Sequence, residues 1–317
     1  MPTNPPDPGE PDPGSPDPEG TVTWGQLQRE AERRLADAGS PSPEIDARRI
    51  VERAGGFEGA DYVLGLGERA TIRSVAWFDA MVARRAGGEP LQYVVGVWGF
   101  RTLDLLVDRR VLIPRPETEQ VAGWALAELD RLREQPARAA ATTGHQVPQI
   151  AVDLGTGSGA IALSLVAERR DVEVWATDIS AGALDVASAN LAGLGGPARR
   201  VTLAEGSWFA ALPPELRGRI DLVVSNPPYV AATDHLPPEV ADWEPPGALV
   251  PGPSGLEALL PLVEQAPGWL ARPGALVVEL APGQAEVVAD AARAAGFGEA
   301  RIEIDLSGRP RAVVARL

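Results

Sequence analysis

The chain contains no cysteine and no lysine among its 317 residues, and only two histidines, His145 and His235. Without cysteine there can be no disulfide, no thiolate metal ligand and no cysteine nucleophile. One histidine falls in an expected loop and the other follows a Pro-Pro-Tyr segment, so imidazole metal centres and Ser-His triads are poor readings, no metal site is expected, and His235 reads as an ordinary surface residue. No apolar run approaches the ~20 residues of a membrane span, and the N-terminus lacks a charged-then-apolar leader, so no membrane segment and a cytoplasmic location are expected. Positive charge is also scarce. The formal net charge is −15, and Asp7, Glu10, Asp12, Asp17 and Glu19 contribute to it with no compensating cation before residue 20. Such a chain lacks the broad basic face that drives phosphate contacts and counterion release, which weighs against a nucleic acid as direct partner. The missing lysine accompanies abundant alanine, glycine and proline and reads as compositional bias.

At 44% hydrophobic residues the chain can bury one large core plus a small second domain. Residues 1–20, Pro-rich and acidic, are expected to be a disordered and dispensable tail. Residues 21–90 read as a helical domain: Leu27, Ala31 and Leu35 share one face of a helix over 23–38, Thr23 with Gln26 can form a capping box, Ser42-Pro43 opens a second helix running to Gly55, and a further helix covers 71–85. Residues 91–119 form a linker with a hairpin between Trp98 and Leu112, followed by Glu117, Thr118 and Glu119, whose acidic side chains suit a helix N-terminus. The remaining domain, 120–317, carries a surface insertion at 132–149 and strands near 150, 172, 199, 220, 274, 299 and 310. Its last two strands are expected to form a hairpin that leaves the final strand antiparallel.

The most informative segment is Ile220-Asp221-Leu222-Val223-Val224-Ser225-Asn226-Pro227-Pro228-Tyr229. Its apolar run suits a strand buried on both faces, and two successive prolines end it because neither has an N–H to donate. What emerges at the strand end is a side-chain amide, a backbone carbonyl and an aromatic ring. The Asn226 amide oxygen and the Pro227 carbonyl can each accept one proton of a planar NH2 group, while Tyr229 stacks against it.

Upstream, the strand Ile150–Leu154 runs through Asp153 into Gly155-Thr156-Gly157-Ser158-Gly159 and then a helix from Ala160 to Arg170. Glycines at 155, 157 and 159 allow close approach and positive φ, and the helix N-terminus offers free N–H groups. The next strand, Val172–Thr177, ends at Asp178, which can accept the two hydroxyl protons of a ribose. Alone, Gly155-x-Gly157-x-x-Ala160 equally satisfies the fingerprint of a nicotinamide-binding fold, with Asp178 at about the ~20-residue offset that fold requires.

The two motifs together, each at a strand C-terminal end beside the topological switch point, resemble amino-methyltransferases that use S-adenosylmethionine. Gly96-Val97-Trp98-Gly99-Phe100, the signature Pro114-Arg115-Pro116-Glu117-Thr118-Glu119 and the segment Glu205-Gly206-Ser207-Trp208-Phe209 narrow this to a resemblance, over residues 21–317, to protein-(glutamine-N5) methyltransferases of peptide chain release factors. The resemblance implies an α/β fold: a seven-stranded class I, Rossmann-like methyltransferase domain behind a small N-terminal helical bundle that docks the release factor. It implies S-adenosylmethionine bound by Asp153, Gly155, Thr156, Gly157, Ser158, Gly159, Asp178, Trp208 and Asn226. It further implies a substrate glutamine, in a Gly-Gly-Gln loop, gripped by Asn226, Pro227, Pro228 and Tyr229, with Asn226, Pro227 and Tyr229 catalytic. A monomer is expected. Residues 115–119 would lie over the cofactor. Ser207 stands where the family commonly has an acidic residue that meets the adenine amino group, and Glu205 is the candidate substitute. Pro282 is unusual after the fifth strand, ahead of the expected Gly283 and Gln284.

Two other readings stay open on the residues. One is a nucleic-acid methyltransferase acting on an exocyclic amine such as that of adenine, since the same tetrapeptide can hold a flipped base. The other is a nicotinamide-dependent oxidoreductase, which leaves Asn-Pro-Pro-Tyr unexplained.

Overall fold

A computed structural model describes residues 19–135 and 147–317. The acidic tail up to residue 18, His145 and most of the 132–149 insertion lie outside the described residues. Glu19 and Gly20, read above as the end of the tail, instead open a strand. The chain forms two compact units, the first ending at Val95 and the second spanning Gly96–Leu317.

In the first unit, strand β1 (Glu19–Thr23) pairs antiparallel with β2 (Arg69–Thr71). Helix α1 (Trp24–Asp37) starts where expected: the Thr23 hydroxyl accepts from the Gln26 N–H at 3.4 Å, and the Gln26 side chain accepts from the Thr23 N–H at 2.9 Å. This closes two backbone donors that a helix start leaves open. Thr23→Ala should therefore destabilise this unit by about 1 kcal/mol in urea unfolding, with no change in the slope against denaturant. Helix α2 (Pro43–Gly55) ends on Gly56, whose φ of +68° an L side chain adopts poorly. It packs with α1 and with α4 (Ile72–Ala86), while short α3 (Asp61–Gly65) and α5 (Leu91–Val95) complete the unit. Leu35, Ile50, Phe78 and Met81 fill the core, and Trp24 meets the rings of Phe57 and Phe78 edge-on. Arg85 and Asp46 are both buried and joined at 2.7 Å, so neither charge is left unpaired.

The second unit opens with a hairpin, β3 (Val97–Phe100) and β4 (Leu103–Leu106), turning at Arg101 with φ +53°. Helix α6 (Pro116–Arg133) follows, with proline at its first position. Then come β5 (Gln149–Leu154), α7 (Ala160–Glu168), β6 (Val172–Asp178), α8 (Ala181–Gly193), β7 (Val201–Glu205), β8 (Ile220–Ser225), α9 (Pro238–Ala241), α10 (Leu259–Gln265), β9 (Leu270–Glu279), α11 (Ala285–Ala294), β10 (Glu299–Ile304) and β11 (Pro310–Arg316). The seven-stranded sheet has the order β10-β11-β9-β8-β5-β6-β7. β11 runs antiparallel to both β9 and β10, as read from the terminal hairpin, and the pairs from β9 through β7 are parallel.

Period-two alternation splits the buried strand residues between two cores. Leu222, Val224, Ala275 and Val277 face α6 and α7, whereas Val223, Leu276 and Val278 face α10 and α11. Both faces are covered, which explains the uninterrupted apolar runs. The chain leaves β5 toward β6 on one side while β8 lies on the other, so the C-terminal ends of β5 and β8 splay their loops apart and open a crevice. Among the described residues no helix is long and apolar enough to cross a membrane.

Candidate active site

The crevice holds a cavity of about 370 Å³, within the usual range for small-molecule sites. Its floor is the loop after β5. Gly155, Gly157 and Gly159 have φ of +75°, +57° and +85°, a backbone that would strain any side-chain-bearing residue. The N–H groups of Gly155 and Thr156 both donate to the Thr177 carbonyl at 2.9 Å, tying the loop to β6. Asp153 is 1% exposed and does not line the cavity. Its Oδ2 accepts from the Thr156 hydroxyl at 2.7 Å and the Ala162 N–H at 3.1 Å, and burial raises its pKa to about 6. The residue read as a cofactor contact is therefore turned inward and staples the loop to the first turn of α7.

Asp178 stands at the end of β6 on the cavity wall. Its Oδ2 accepts from the Gly157 N–H and its Oδ1 from the Ser180 N–H, each at 2.9 Å. Each oxygen keeps lone-pair capacity for a further donor. Trp208, held at φ +46°, also lines the cavity, and its ring covers Gly155: a Cβ there would come within 3.3 Å of it. Ser207 also lines the cavity, while Glu205 is exposed and does not, so the proposed substitute for the adenine contact is not at the site. Gly155→Ala should weaken cofactor binding about tenfold or more, from left-handed strain and displacement of Trp208 together, as read by calorimetry.

From β8, Asn226 enters the same cavity, and Pro228 lines it. Pro227 is buried, and among the described residues no hydrogen bond engages its carbonyl. The Asn226 Nδ2 donates to the Thr118 hydroxyl at 3.1 Å, and the Thr118 hydroxyl donates to Glu279 Oε2 at 2.8 Å. Tyr229 turns its hydroxyl to Glu279 Oε1 at 3.1 Å and does not line the cavity, which differs from the stacking role read above. Its backbone carbonyl accepts from Gln284 at 2.9 Å, so the Gln after the fifth strand braces the tetrapeptide. Glu279 is 1% exposed, and burial raises its pKa to about 7 despite its two hydroxyl donors and nearby Arg311.

The mouth is formed by two segments that hold each other. Arg115 pairs with Glu244, which also accepts from the Ile113 N–H at 3.1 Å, and Arg109 lies 3.9 Å from the centre of the Trp243 ring. Arg110, Leu112, Pro114 and Arg115 line the cavity from one side and Pro245 and Gly247 from the other. The long proline-rich loop after Tyr229 is thus part of the site wall. His235, within that loop, is exposed and does not line the cavity.

Sequence reasoning placed Thr118 in a helix start and passed over Glu279. A signal for Glu279 was available: a carboxylate inside Val277-Val278-Glu279-Leu280, on a strand covered on both faces, requires a hydrogen-bonding partner.

The donor set fits S-adenosylmethionine, the cofactor implied by the resemblance. The β5 loop is a cradle without side chains, Asp178 has acceptor capacity suited to ribose hydroxyls, and Trp208 and Ile179 supply apolar wall. Residues 26–96 match the family described as PrmC N-terminal domain, and residues 141–240 the one described as Methyltransferase small domain. Release factor glutamine methyltransferase of Cereibacter sphaeroides is 40% identical, covering 91% of this chain and 96% of that protein. The Xylella fastidiosa protein of the same name is 43% identical over 75% of this chain and 80% of its own length. That of Streptomyces coelicolor is 39% identical over 90% and 95%.

Proposed function

Since this chain belongs to the release factor glutamine methyltransferase family, we propose that it methylates the side-chain amide nitrogen of the glutamine in the Gly-Gly-Gln loop of peptide chain release factors. S-adenosylmethionine supplies the sulfonium-bound methyl group. The observation that carries this reading is the meeting of Asn226 with the glycine loop and Asp178 in one cavity.

An amide nitrogen is a poor nucleophile because its lone pair is delocalised into the carbonyl. Asn226 Oδ1 and the Pro227 carbonyl accept the two N–H protons of the substrate and thereby favour a pyramidal nitrogen whose lone pair faces the methyl. Both acceptors strengthen as positive charge builds on nitrogen, which stabilises the transition state more than the ground state. With the nitrogen held by these acceptors at a reacting distance of ~3 to 3.5 Å from the methyl, the N–C bond would form as the S–C bond breaks to leave a neutral thioether, and the extra proton would pass to solvent, so no strong base is required. The substrate is a folded protein, and the N-terminal helical unit, with Val63, Leu64 and Ile72 exposed, docks it. The acidic net charge of −15 supports a protein rather than a nucleic-acid substrate.

Incubation with S-adenosylmethionine and a full-length release factor should add the mass of one methylene to the Gly-Gly-Gln glutamine, located by fragment mass spectrometry. Cofactor binding without any such gain would overturn the substrate assignment.

A further inference from the structure

We infer that Thr118 and Glu279 are positioning residues that set which way round the Asn226 side-chain amide sits, so that its oxygen, not its NH2, meets the substrate nitrogen. The inference rests on the reading that Asn226 receives an amide N–H, and it concerns residues on three elements: the start of α6, the end of β8 and the end of β9.

An asparagine amide presents an acceptor on one side and a donor on the other, and rotation by half a turn exchanges them. Facing an NH2 group, one orientation gives a hydrogen bond and the other sets donor against donor. Nothing within Asn226 itself selects between them, so the neighbours must. Glu279 has both carboxylate oxygens engaged by hydroxyls, Thr118 at Oε2 and Tyr229 at Oε1. An ionised carboxylate only accepts, so each hydroxyl spends its single proton on it. Burial pushes the Tyr229 phenol well above its ordinary value, so it stays protonated and remains a donor. The Thr118 oxygen then has only lone pairs left for Asn226, and it lies 3.1 Å from Nδ2. That contact is satisfied only with the amide nitrogen toward Thr118, which leaves Oδ1 for the cavity that Asn226 lines. The carboxylate, 1% exposed, is shielded from bulk solvent, and removal of the Thr118 hydroxyl would take away the acceptor that chooses the orientation of the amide.

The decisive variants are Thr118→Val, which keeps the shape and removes the hydroxyl, and Thr118→Ser, which keeps the hydroxyl and removes the methyl. At alkaline pH, where Glu279 is ionised, Thr118→Val should lower kcat for a full-length release factor about tenfold or more, with KM and the affinity for S-adenosylhomocysteine changed less than about twofold. Thr118→Ser should restore kcat to within about threefold of the parent, whereas a purely packing role would predict the reverse order, Val better than Ser. The orientation itself is read by side-chain amide NMR of the cofactor-bound protein, with Asn226→Ala supplying the assignment. The Asn226 Nδ2 protons should be exchange-protected in the parent and in Thr118→Ser and lose that protection in Thr118→Val. Equal protection in Thr118→Val, or kcat within about twofold of the parent, would overturn the inference. Should the parent protein not methylate release factors, the proposed function fails while the NMR comparison still decides the positioning role.

Discussion

Asn226→Ala is expected to cut kcat by about 10²- to 10³-fold while the affinity for S-adenosylmethionine stays within about threefold of the parent. The asymmetry follows from where the side chain sits. Its Nδ2 is bound to Thr118, and its oxygen is the only side-chain acceptor that the Asn-Pro-Pro-Tyr segment brings to the cavity. Removing it leaves one substrate N–H without its protein partner and loses the contact that strengthens as charge develops on nitrogen. Stopped-time assays at saturating cofactor, paired with calorimetry, measure the two quantities separately. Equal losses in turnover and cofactor affinity would mean that Asn226 serves the cofactor and not the transferred methyl.

Asp178→Ala should act the other way, raising the dissociation constant for S-adenosylmethionine about 10²-fold and altering kcat at saturation far less. Two hydrogen bonds from ribose hydroxyls to a carboxylate are each worth about 1.5 to 3 kcal/mol, enough for that loss before any second effect. The second effect is structural. Asp178 also receives the N–H groups of Gly157 and Ser180, so its removal frees the glycine loop from the end of β6 and adds to the cost of ordering the site. Calorimetric affinity unchanged in the variant would remove the ribose assignment, and Asp178→Asn, which keeps the shape but puts an NH2 donor in place of one of the two accepting oxygens, tests whether both acceptors are needed.

Much of the fold was legible locally. Apolar runs of alternating facing, broken by Gly155 and by Pro227-Pro228, mark β5 and β8 because buried parallel strands must be apolar on both sides and proline cannot continue a ladder. The Thr23–Gln26 capping box and the Pro43 and Pro116 helix starts depend on residues within one turn of each other, so composition at short range suffices. The terminal hairpin was equally readable from the short connection between its strands.

The site was legible in its parts and not in its wiring. Which segments reach the crevice was already written in local pattern and chain order, through strand ends, glycine turns and the switch point. Which way their side chains turn depends on the packed fold. Asp153, two residues before a loop that lines the cavity, points inward to Thr156 and Ala162, and Tyr229 points to Glu279. Thr118 joins Asn226 across 108 residues and Glu279 across 161, and Arg115 joins Glu244 across 129. Such pairs have no sequence period, because a hydrogen bond between elements depends on sheet register and on how a helix lies across the strands. Propensity and spacing describe the chain along its own axis, whereas the orientation of one amide is set by what the fold places beside it.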